Sequence, residues 1–403
     1  MENRNIGPDD IILKEIFTID LPTKTTVILQ DWNKCVLKAE FSNGIEPCIV
    51  RLERVAGESR MFPMIAALQQ VAAMVIPHLV PRTLQFGKAM NAEKDEFHFS
   101  VVEFIRGSTL EEVWGTLSEE ERISVVEELG AALEKLHSVR PGDDNVRRVL
   151  QDMTSINMEG LGPLEQAGVF GGPELGFFQD GPSLLEAIEK SRRRKTPACT
   201  LTTGDISSGT TILSHFDEIG TATVNTSDME TWKSEAVLCH NDLTPRNLIL
   251  RSCTSPTGEV RYKLAGIIDW EFSGFFPASY ELSLQDTYFP TANRHVSYYL
   301  LLKEHLGKLT PRSSSHTTLS KAMDLIYESQ QRSLVEGNKI PAKIRKRFLE
   351  TLKMVKDEDP YVGWRRSSQE TPFEELSQAE FVKLENDVIE EVVTKRKASA
   401  GTT

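Results

Sequence analysis

The feature that most constrains the fold is a polar turn followed by a hairpin between residues 238 and 271. His240, Asp242 and Asn247 stand in the otherwise apolar or turn-forming stretch LCHNDLTPRNLIL. The stretches NLILR and RYKLAGII that follow have the composition of two strands, and SPTGE between them is a turn signal. Such a hairpin returns Asp269, at the end of the second strand, to the side of Asp242 and Asn247.

The chemistry of these side chains suits a magnesium site better than a zinc site. Two carboxylates and a carboxamide at one rim are hard oxygen ligands, which favour Mg²⁺ and a phosphate-bearing substrate. The alternative is a capped turn, because Asp and Asn side chains also bond their own backbone in turns. The return of Asp269 beside Asp242 and Asn247 favours the magnesium site.

The order of strand and helix signals predicts an α+β protein with two lobes. Residues 25–53 alternate between β-rich runs and turns, a pattern typical of a small antiparallel meander. One helical stretch and two further strands follow. At 403 residues, the chain exceeds the size at which one hydrophobic core stops growing. We therefore predict an N-terminal lobe at 1–106, with a small antiparallel sheet and one helix, and a larger, mainly helical C-terminal lobe at 107–403.

Helical signals recur through the C-terminal lobe. Ser118 with Glu121 fits a capping box that opens an amphipathic helix. Between residues 151 and 233, abundant Gly, Ser and Thr with weak periodicity indicate a long, partly mobile insertion. Three further helical patterns lie at 318–336, 341–356 and 377–396.

Charge and cysteine content argue against several classes of protein. The formal net charge of −13 opposes attraction to phosphate backbones, so nucleic acid is not an expected partner. The five cysteines form no C-x-x-C pair, which argues against a disulfide framework and a zinc site. The start lacks the features of a secretory signal, and no stretch is long and apolar enough to span a bilayer. We expect a cytoplasmic protein without membrane contact.

The motifs together resemble a known family. HNDLTPRN followed by IIDWE resembles the catalytic loop and metal-binding segment of the aminoglycoside phosphotransferase and choline kinase-like family, which is similar in fold to the protein kinases. SVVEFIRGSTLEEVW resembles the hinge strand and following helix of that family, and LVPRTLQFG resembles an earlier strand. RVAGESRMFP and WEFSGFFPASYE are most similar to fungal members of unassigned substrate. The resemblance implies a bilobal protein-kinase-like fold with an N-terminal nucleotide-binding lobe and a C-terminal catalytic and substrate-binding lobe.

The resemblance also implies roles for the hairpin residues. Asp242 would accept the proton of a substrate hydroxyl and orient that oxygen toward the γ-phosphoryl group of ATP. Asn247 and Asp269 would hold Mg²⁺. His240 would be a buried structural histidine that braces the loop. Glu281 falls where the family usually has an aspartate that supports the loop.

The same comparison gives the nucleotide-binding residues of the N-terminal lobe. Arg51 in CIVRLE occupies the place of the family's phosphate-binding lysine, with Glu58 as its helix partner; the alternative for Arg51 is an exposed strand arginine. Backbone groups of Glu103 and Ile105 would bind the adenine edge, and Phe104 either stacks on the ring or belongs to the core. The turn QDWNKC lacks the glycines with which protein kinases cover the phosphates.

These features predict an ATP- and Mg²⁺-dependent phosphotransferase that acts on a hydroxyl of a small-molecule metabolite. Thr244 replaces the lysine found at this position in protein serine/threonine kinases, and DWE replaces DFG, which argues against a protein acceptor. Glu271 of DWE either assists the site or is a surface acid. Two other functions remain open. One is a kinase-like nucleotide-binding protein without transfer activity, and the other is a kinase fold used for another ATP-linked reaction.

Overall fold

The computed structural model gives the chain a mixed α+β architecture, in which an antiparallel sheet comes first and helices dominate afterwards, as predicted. None of the helices within the described residues combines the length and apolar character that crossing a bilayer requires. The cysteines at all five positions are free, and only Cys253 is exposed. The structure describes residues 6–42, 44–55, 62–154, 170–192, 196–204, 209–254, 260–367 and 375–400.

The first sheet has five antiparallel strands in the order β1-β2-β3-β5-β4. Side chains along β2 and β3 alternate between buried and partly exposed over most of their length, because successive residues of a strand point to opposite faces. Val50 therefore lies in the sheet's core, and Arg51 points to the opposite face. The strands are β1 (Lys24–Gln30), β2 (Lys34–Glu40), β3 (Cys48–Arg54), β4 (Thr83–Met90) and β5 (Glu96–Glu103).

Two helices, rather than the single helix predicted, accompany this sheet. The additional helix is α1 (Asp10–Ile16), whose N-terminus is capped by Asp9 and whose Ile12 and Ile16 join the sheet's hydrophobic core. Its seven residues are too few to show a helical period in the sequence. The predicted helix is α2 (Phe62–Val75).

Helix α2 packs away from the sheet's core. Met64, Leu68 and Val71 belong to a larger hydrophobic cluster that includes Leu129 and Leu133 of a long helix further along the chain. The helix therefore couples the first sheet to the helical part of the protein. A division of the chain at residue 106 remains a proposal.

The remaining helices confirm most of the predicted helical stretches. Helix α4 begins at Ser118, whose side chain and that of Glu121 form the predicted capping box. The stretch at 341–356 is helical only to Thr351, because Lys353 has a left-handed backbone (φ 51°) and the next residues form a strand. The helices are α3 (Leu110–Val113), α4 (Glu119–His137), α5 (Asp144–Thr154), α6 (Gly181–Arg192), α7 (Thr226–Glu235), α8 (Ala278–Tyr288), α9 (Val296–Leu309), α10 (Ser314–Glu336), α11 (Ile340–Thr351) and α12 (Gln378–Ala400).

The described part of the predicted insertion at 151–233 contains regular structure. It includes the end of α5, helix α6, most of α7 and two groups of strands. The first group, β7 and β8, joins a sheet with β12 (Ala236–Cys239) and β15 (Gly274–Pro277) in the order β12-β15-β7-β8, and the second forms a separate sheet of order β11-β10-β9. The strands are β7 (Phe170–Gly172), β8 (Gly176–Phe178), β9 (Cys199–Thr203), β10 (Thr210–Ser214) and β11 (Thr221–Val224).

The hairpin predicted after residue 247 is present as β13 and β14. These strands pair in antiparallel fashion from Leu248 with Ile267 to Thr254 with Val260. Strand β6 joins the other side of β13. The strands not yet defined are β6 (Ser108–Thr109), β13 (Leu248–Thr254), β14 (Val260–Ile267), β16 (Met354–Lys356) and β17 (Trp364–Arg366).

Candidate active site

The polar turn lies between β12 and β13 and is held by its own backbone geometry. Asn241 adopts a left-handed conformation (φ 66°), and its side-chain amide donates to the carbonyl of Phe272 at 3.0 Å. Residues Pro245–Asn247 then form one turn of 3₁₀ helix that leads into β13. The turn is thus fixed to the segment that follows Asp269.

His240 braces the turn from inside, as the resemblance implied. Its side chain is fully buried, and its Nε2 lies 3.0 Å from the carbonyl of Ile268. The backbone N–H of Asp242 donates to Nδ1 of the same ring at 3.2 Å. Since Nδ1 accepts, Nε2 carries the proton, and the ring links the turn to the residue before Asp269. His240 is therefore a positioning residue.

Glu281, on α8, anchors the polar turn through hydrogen bonds to its backbone. Its Oε1 accepts from the backbone N–H groups of His240 (2.7 Å) and Asn241 (2.8 Å), and its Oε2 lies 2.8 Å from Nε2 of His137. Burial opposes ionisation of this carboxyl group, but the bonds from His137 and Asn241 outweigh it and lower the pKa of Glu281. The side chain is fully buried and charged, so its partners stabilise the folded turn.

We expect the substitution Glu281→Gln to lower the free energy of unfolding by about 3 kcal/mol, because it removes a buried carboxylate that accepts hydrogen bonds from two backbone N–H groups. The folded-state pKa of Glu281 is depressed, so its contribution exists above the unfolded-state pKa and is lost as pH falls through the folded-state pKa. The difference between parent and variant should therefore shrink in acid. Urea titrations at pH 7 and at about pH 4 measure both effects.

The exposed Glu134 of α4 provides a matched control for that experiment. Glu134→Gln makes the same chemical change away from any buried partner and should alter stability by less than about 0.5 kcal/mol. Equal effects of the two substitutions would show that Glu281 does not stabilise the turn.

Asp242 presents one free carboxylate oxygen at the site. The residue is 2% exposed. Its Oδ2 accepts from Nδ2 of Asn247 at 2.8 Å and lies 3.3 Å from the guanidinium of Arg246. Its Oδ1 is buried and has no hydrogen-bond partner among the residues that the structure describes. A buried carboxyl oxygen without a partner is costly, so Oδ1 is an acceptor that a ligand would satisfy.

Asn247 and Asp269 lie side by side and carry hard oxygen donor atoms. The Nδ2 group of Asn247 is used by Asp242, at 2.9 Å from the backbone carbonyl and 2.8 Å from Oδ2, which leaves the amide oxygen for a cation. The backbone carbonyl of Asn247 accepts from the N–H of Ile268 at 2.9 Å. This bond places Asp269, which has a left-handed backbone (φ 64°), beside Asn247. The set of hard oxygen atoms fits Mg²⁺.

Arg51 joins the first sheet to this site through three carboxylates. One of its guanidinium nitrogens lies 3.2 Å from Oδ1 of Asp269, and the group also contacts Glu53 and Glu271. The side chain of Arg51 is 14% exposed, so the alternative of an exposed strand arginine is wrong. Glu271 is likewise buried rather than a surface acid. Burial disfavours the charge of Arg51, but the three carboxylates outweigh it and raise its pKa.

Acidic neighbours also affect the ionisation of Asp269. Burial and the charge of Glu271 raise the pKa of Asp269, while Arg51 and Lys34 oppose that shift. Lys34 is the first residue of β2, directly after the glycine-free turn, and its Nζ lies 3.8 Å from Oε1 of Glu271. Asp31 shapes this turn by accepting from the backbone N–H groups of residues 33 and 34. At this turn the side chain of Lys34 approaches the site, whereas protein kinases use the backbone of a glycine-rich loop.

The connecting segment after β5 carries the residues predicted to contact adenine. The N–H of Glu103 donates to the carbonyl of Arg82 at 3.1 Å, so this group is already used within the sheet. Phe104 is half-buried, and the ammonium of Lys38 lies 4.6 Å from its ring centre. Ile105 packs closely on Gly266, where a larger residue would collide with its side chain. The backbone groups of this segment to test as partners of the adenine edge are therefore the carbonyl of Glu103 and the N–H of Ile105.

The structure thus brings most of the predicted site residues together. Asp242, Asn247, Asp269 and Arg51 converge, and residues 103–105 form the segment between the two parts of the protein. Glu58, the predicted partner of Arg51, lies outside the described residues.

Three site residues had no assigned role in the sequence analysis. Glu53, two positions after Arg51 on the same face of β3, could have been found from the strand period. Lys34 and Arg246 carry no pattern that points to the site, because their contacts depend on how the turns fold.

Comparison with known proteins identifies a matching family. The model of the phosphotransferase enzyme family named APH matches residues 39–294. This range includes Arg51, the polar turn and Asp269. No curated protein matches the sequence.

Several solved structures match the chain at low identity. A GDP and kanamycin complex of an APH(2″) enzyme is 11% identical, with a TM-score of 0.42, over 84% of this chain and 96% of that chain. An ethanolamine kinase from Plasmodium vivax is 11% identical, with a TM-score of 0.36, over 78% of this chain and 76% of that chain. A spectinomycin phosphotransferase, in complex with ADP and spectinomycin, is 12% identical, with a TM-score of 0.31, over 79% and 92%.

Proposed function

Because the chain belongs to the phosphotransferase enzyme family, we propose that it transfers the γ-phosphoryl group of ATP to a hydroxyl of a small-molecule metabolite, with Mg²⁺ as cofactor. Asp242 is the catalytic base, and Asn247 and Asp269 are the metal-binding residues. Arg51 contacts the phosphates, and the segment at residues 103–105 binds adenine.

The observation that carries this proposal is the state of the Asp242 carboxylate. Its Oδ2 is held by Asn247, while its buried Oδ1 has no partner. A carboxylate that only capped its own turn would use its oxygens on backbone N–H groups. Here the N–H of Asp242 itself donates to His240, and Oδ1 remains available for the proton of an incoming hydroxyl.

The proposed transfer follows from these positions. The acceptor hydroxyl donates its hydrogen bond to Oδ1 of Asp242, and its oxygen attacks the γ-phosphorus of ATP. The new P–O bond forms as the bond from the γ-phosphorus to the β–γ bridging oxygen breaks, and ADP leaves with that electron pair. The hydroxyl proton passes to Asp242. Asn247 keeps the carboxylate oriented through its bond to Oδ2.

The carboxylates around Arg51 are consistent with a site for a metal-bound triphosphate. When bound, Mg²⁺ would neutralise negative charge on the phosphates during transfer. Asp269 and Asn247 supply the oxygens for it. Arg51, now paired with Asp269, Glu53 and Glu271, would then have phosphate oxygens within reach of its planar fork. Glu271 and Glu53 act as positioning residues for that fork.

We expect Arg51→Gln to weaken ATP binding by about 30-fold, or ~2 kcal/mol, because the charge that contacts the phosphates is lost. Arg51→Lys keeps the charge but loses the fork, and should weaken binding by only about threefold. Titration calorimetry with ATP and Mg²⁺ measures both. Arg54→Gln on the same strand, where the side chain is 43% exposed, is the matched control. If Arg51→Gln binds ATP as tightly as the parent protein, Arg51 does not contact the phosphates.

A small acceptor is favoured over a protein by the residues of the turn. Thr244 is fully buried, and its hydroxyl finds no hydrogen-bond partner in the described residues, so this position does not present a cation to a substrate. Protein serine/threonine kinases carry a lysine there. Arg246 instead places a half-exposed cation beside Asp242.

A panel assay tests the proposed function. The protein is incubated with ATP, Mg²⁺ and a set of hydroxyl-bearing metabolites and aminoglycosides, and ADP and phosphorylated products are detected by mass spectrometry. At least one acceptor should yield a product heavier by one phosphoryl group together with one equivalent of ADP. ATP binding without ADP formation would favour the binding protein, and a product of different mass would favour another ATP-linked reaction.

A further inference from the structure

A groove of about 730 Å³ runs along helix α10. We call it the α10 groove. Helix α10 forms its floor, α11 one wall and β11 the other, and β16 and β17 close one end. Its volume is in the range of cavities that hold small molecules.

The groove does not include the residues of the proposed active site. On α10, the hydroxyls of Ser320 and Tyr327 face α8, where they meet Ser283 and the carbonyl of Thr287. Helix α8 in turn holds the polar turn. Residues 321, 328 and 335 line the groove, and at 3.6 residues per turn they lie roughly a quarter turn around α10 from 320 and 327. None of the residues that line the groove is a proposed catalytic, metal-binding or nucleotide-binding residue.

Much of the groove surface is apolar. Side chains from α10, α11, β16 and the turn before β11 contribute, so an extended apolar ligand would contact the groove along several turns of α10. These side chains are Ile219, Leu325, Val335, Ala342, Leu349 and Met354.

Two buried N–H groups at the groove have no acceptor among the described residues. Arg345 is 5% exposed and uses its terminal nitrogens on Glu328, at 2.7 Å and 3.4 Å, but its Nε is unpaired. The indole Nε1 of Trp364 is also unpaired. The guanidinium of Arg345 lies 5.3 Å from the ring centre of Trp364, so the two side chains are neighbours. Unpaired buried donors are rare, and an acceptor oxygen would satisfy them.

Lys321 is the cation that an anionic ligand would meet at the groove. Each acidic side chain that lines the groove contacts a basic one. Arg332 and Lys356 each contact a second carboxylate, from Glu336 and Asp286. Lys321 is exposed and has no ion pair within the described residues, so its charge is available to a ligand. The acid–base pairs are Glu218 with Arg332, Glu328 with Arg345, Glu350 with Lys346, and Asp324 with Lys356.

We propose that the α10 groove binds a carboxylic acid with an apolar chain. The chain lies on the apolar floor and walls, and the carboxylate accepts from Nε of Arg345 and Nε1 of Trp364, in the positive potential of Lys321. The proposal does not depend on the proposed transfer activity. Its failure and that of the phosphotransferase function are separate results, because binding is measured without ATP.

Titration calorimetry on the full chain, with dodecanoate below its micelle concentration, tests the proposal. We expect one saturable site, and at least tenfold weaker binding of dodecan-1-ol, which has the same chain but no carboxylate. Absence of saturable dodecanoate binding, or equal binding of acid and alcohol, would overturn the proposal.

Two variants tie the binding to the groove. Arg345→Lys keeps a cation for Glu328 but removes the Nε donor, and should weaken dodecanoate binding about tenfold. Lys321→Glu reverses an exposed charge and should weaken dodecanoate binding about fivefold, with little change for the alcohol.

The control is Lys383→Glu, at an exposed position on α12, which makes the same charge change elsewhere and should leave dodecanoate affinity unchanged. Thermal unfolding of each variant confirms that it folds. Parent-like affinity in both groove variants, or an equal loss in Lys383→Glu, would contradict binding in the groove.

Discussion

The substitution Asp242→Asn is expected to lower kcat by about 10³-fold while ATP affinity changes by less than about threefold. The amide has the shape of the carboxylate. In the rotamer that turns its oxygen toward Asn247, the hydrogen bond from Asn247 is kept and the turn stays folded. The amide cannot take up the proton of the acceptor hydroxyl, which is the role assigned to Oδ1. Product formation is measured with the acceptor found in the panel assay, and ATP affinity by calorimetry.

A control for this substitution is Arg246→Gln, which removes the other side chain that contacts Asp242. Arg246 is 55% exposed and has no assigned role in proton transfer, so we expect a loss in kcat of less than about tenfold. Parent-like turnover of Asp242→Asn would exclude Asp242 as the base. A loss as large in Arg246→Gln would show that charge around the turn, rather than the base, limits the reaction.

The parts of the site that are close in sequence were predictable. The hairpin of β13 and β14 follows from two β-rich stretches separated by a turn signal, and it alone brings Asp269 back to Asn247. The hydrogen bond from Ile268 to Asn247 is the direct consequence. Local pairing, encoded in short stretches, needs no knowledge of the rest of the chain.

Contacts across the chain were predictable only in part. The resemblance assigned Arg51 to the phosphate site, yet two of its carboxylate partners, Asp269 and Glu271, lie more than two hundred residues away. No local pattern encodes such a pair. The contact arises because β3 directs Arg51 away from the core of the first sheet and toward the end of β14.

Helix α8 was not predicted although it anchors the catalytic turn. Residues 278–287 are all buried, so the helix lacks the polar face whose period would reveal it in a sequence. Its Glu281 was found only through the resemblance. The short strands β7 and β8 were missed for another reason: FGG and GFF are glycine-containing stretches of three residues, which have the composition of a loop.

The substitution Asp269→Asn is expected to weaken Mg²⁺-dependent ATP binding by about 100-fold, or ~2.7 kcal/mol, because a carboxylate ligand is replaced by a neutral amide. The substitution also weakens the ion pair with Arg51, and that change alone would alter nucleotide affinity.

Glu53→Gln separates these two effects, since Glu53 contacts Arg51 and has no assigned metal role. ATP affinity is measured for both variants with Mg²⁺ and with EDTA. If Asp269 holds the metal, only Asp269→Asn loses the gain in affinity that Mg²⁺ gives the parent. An equal dependence on Mg²⁺ in both variants would mean that Asp269 acts through Arg51 alone, and the metal assignment would be wrong.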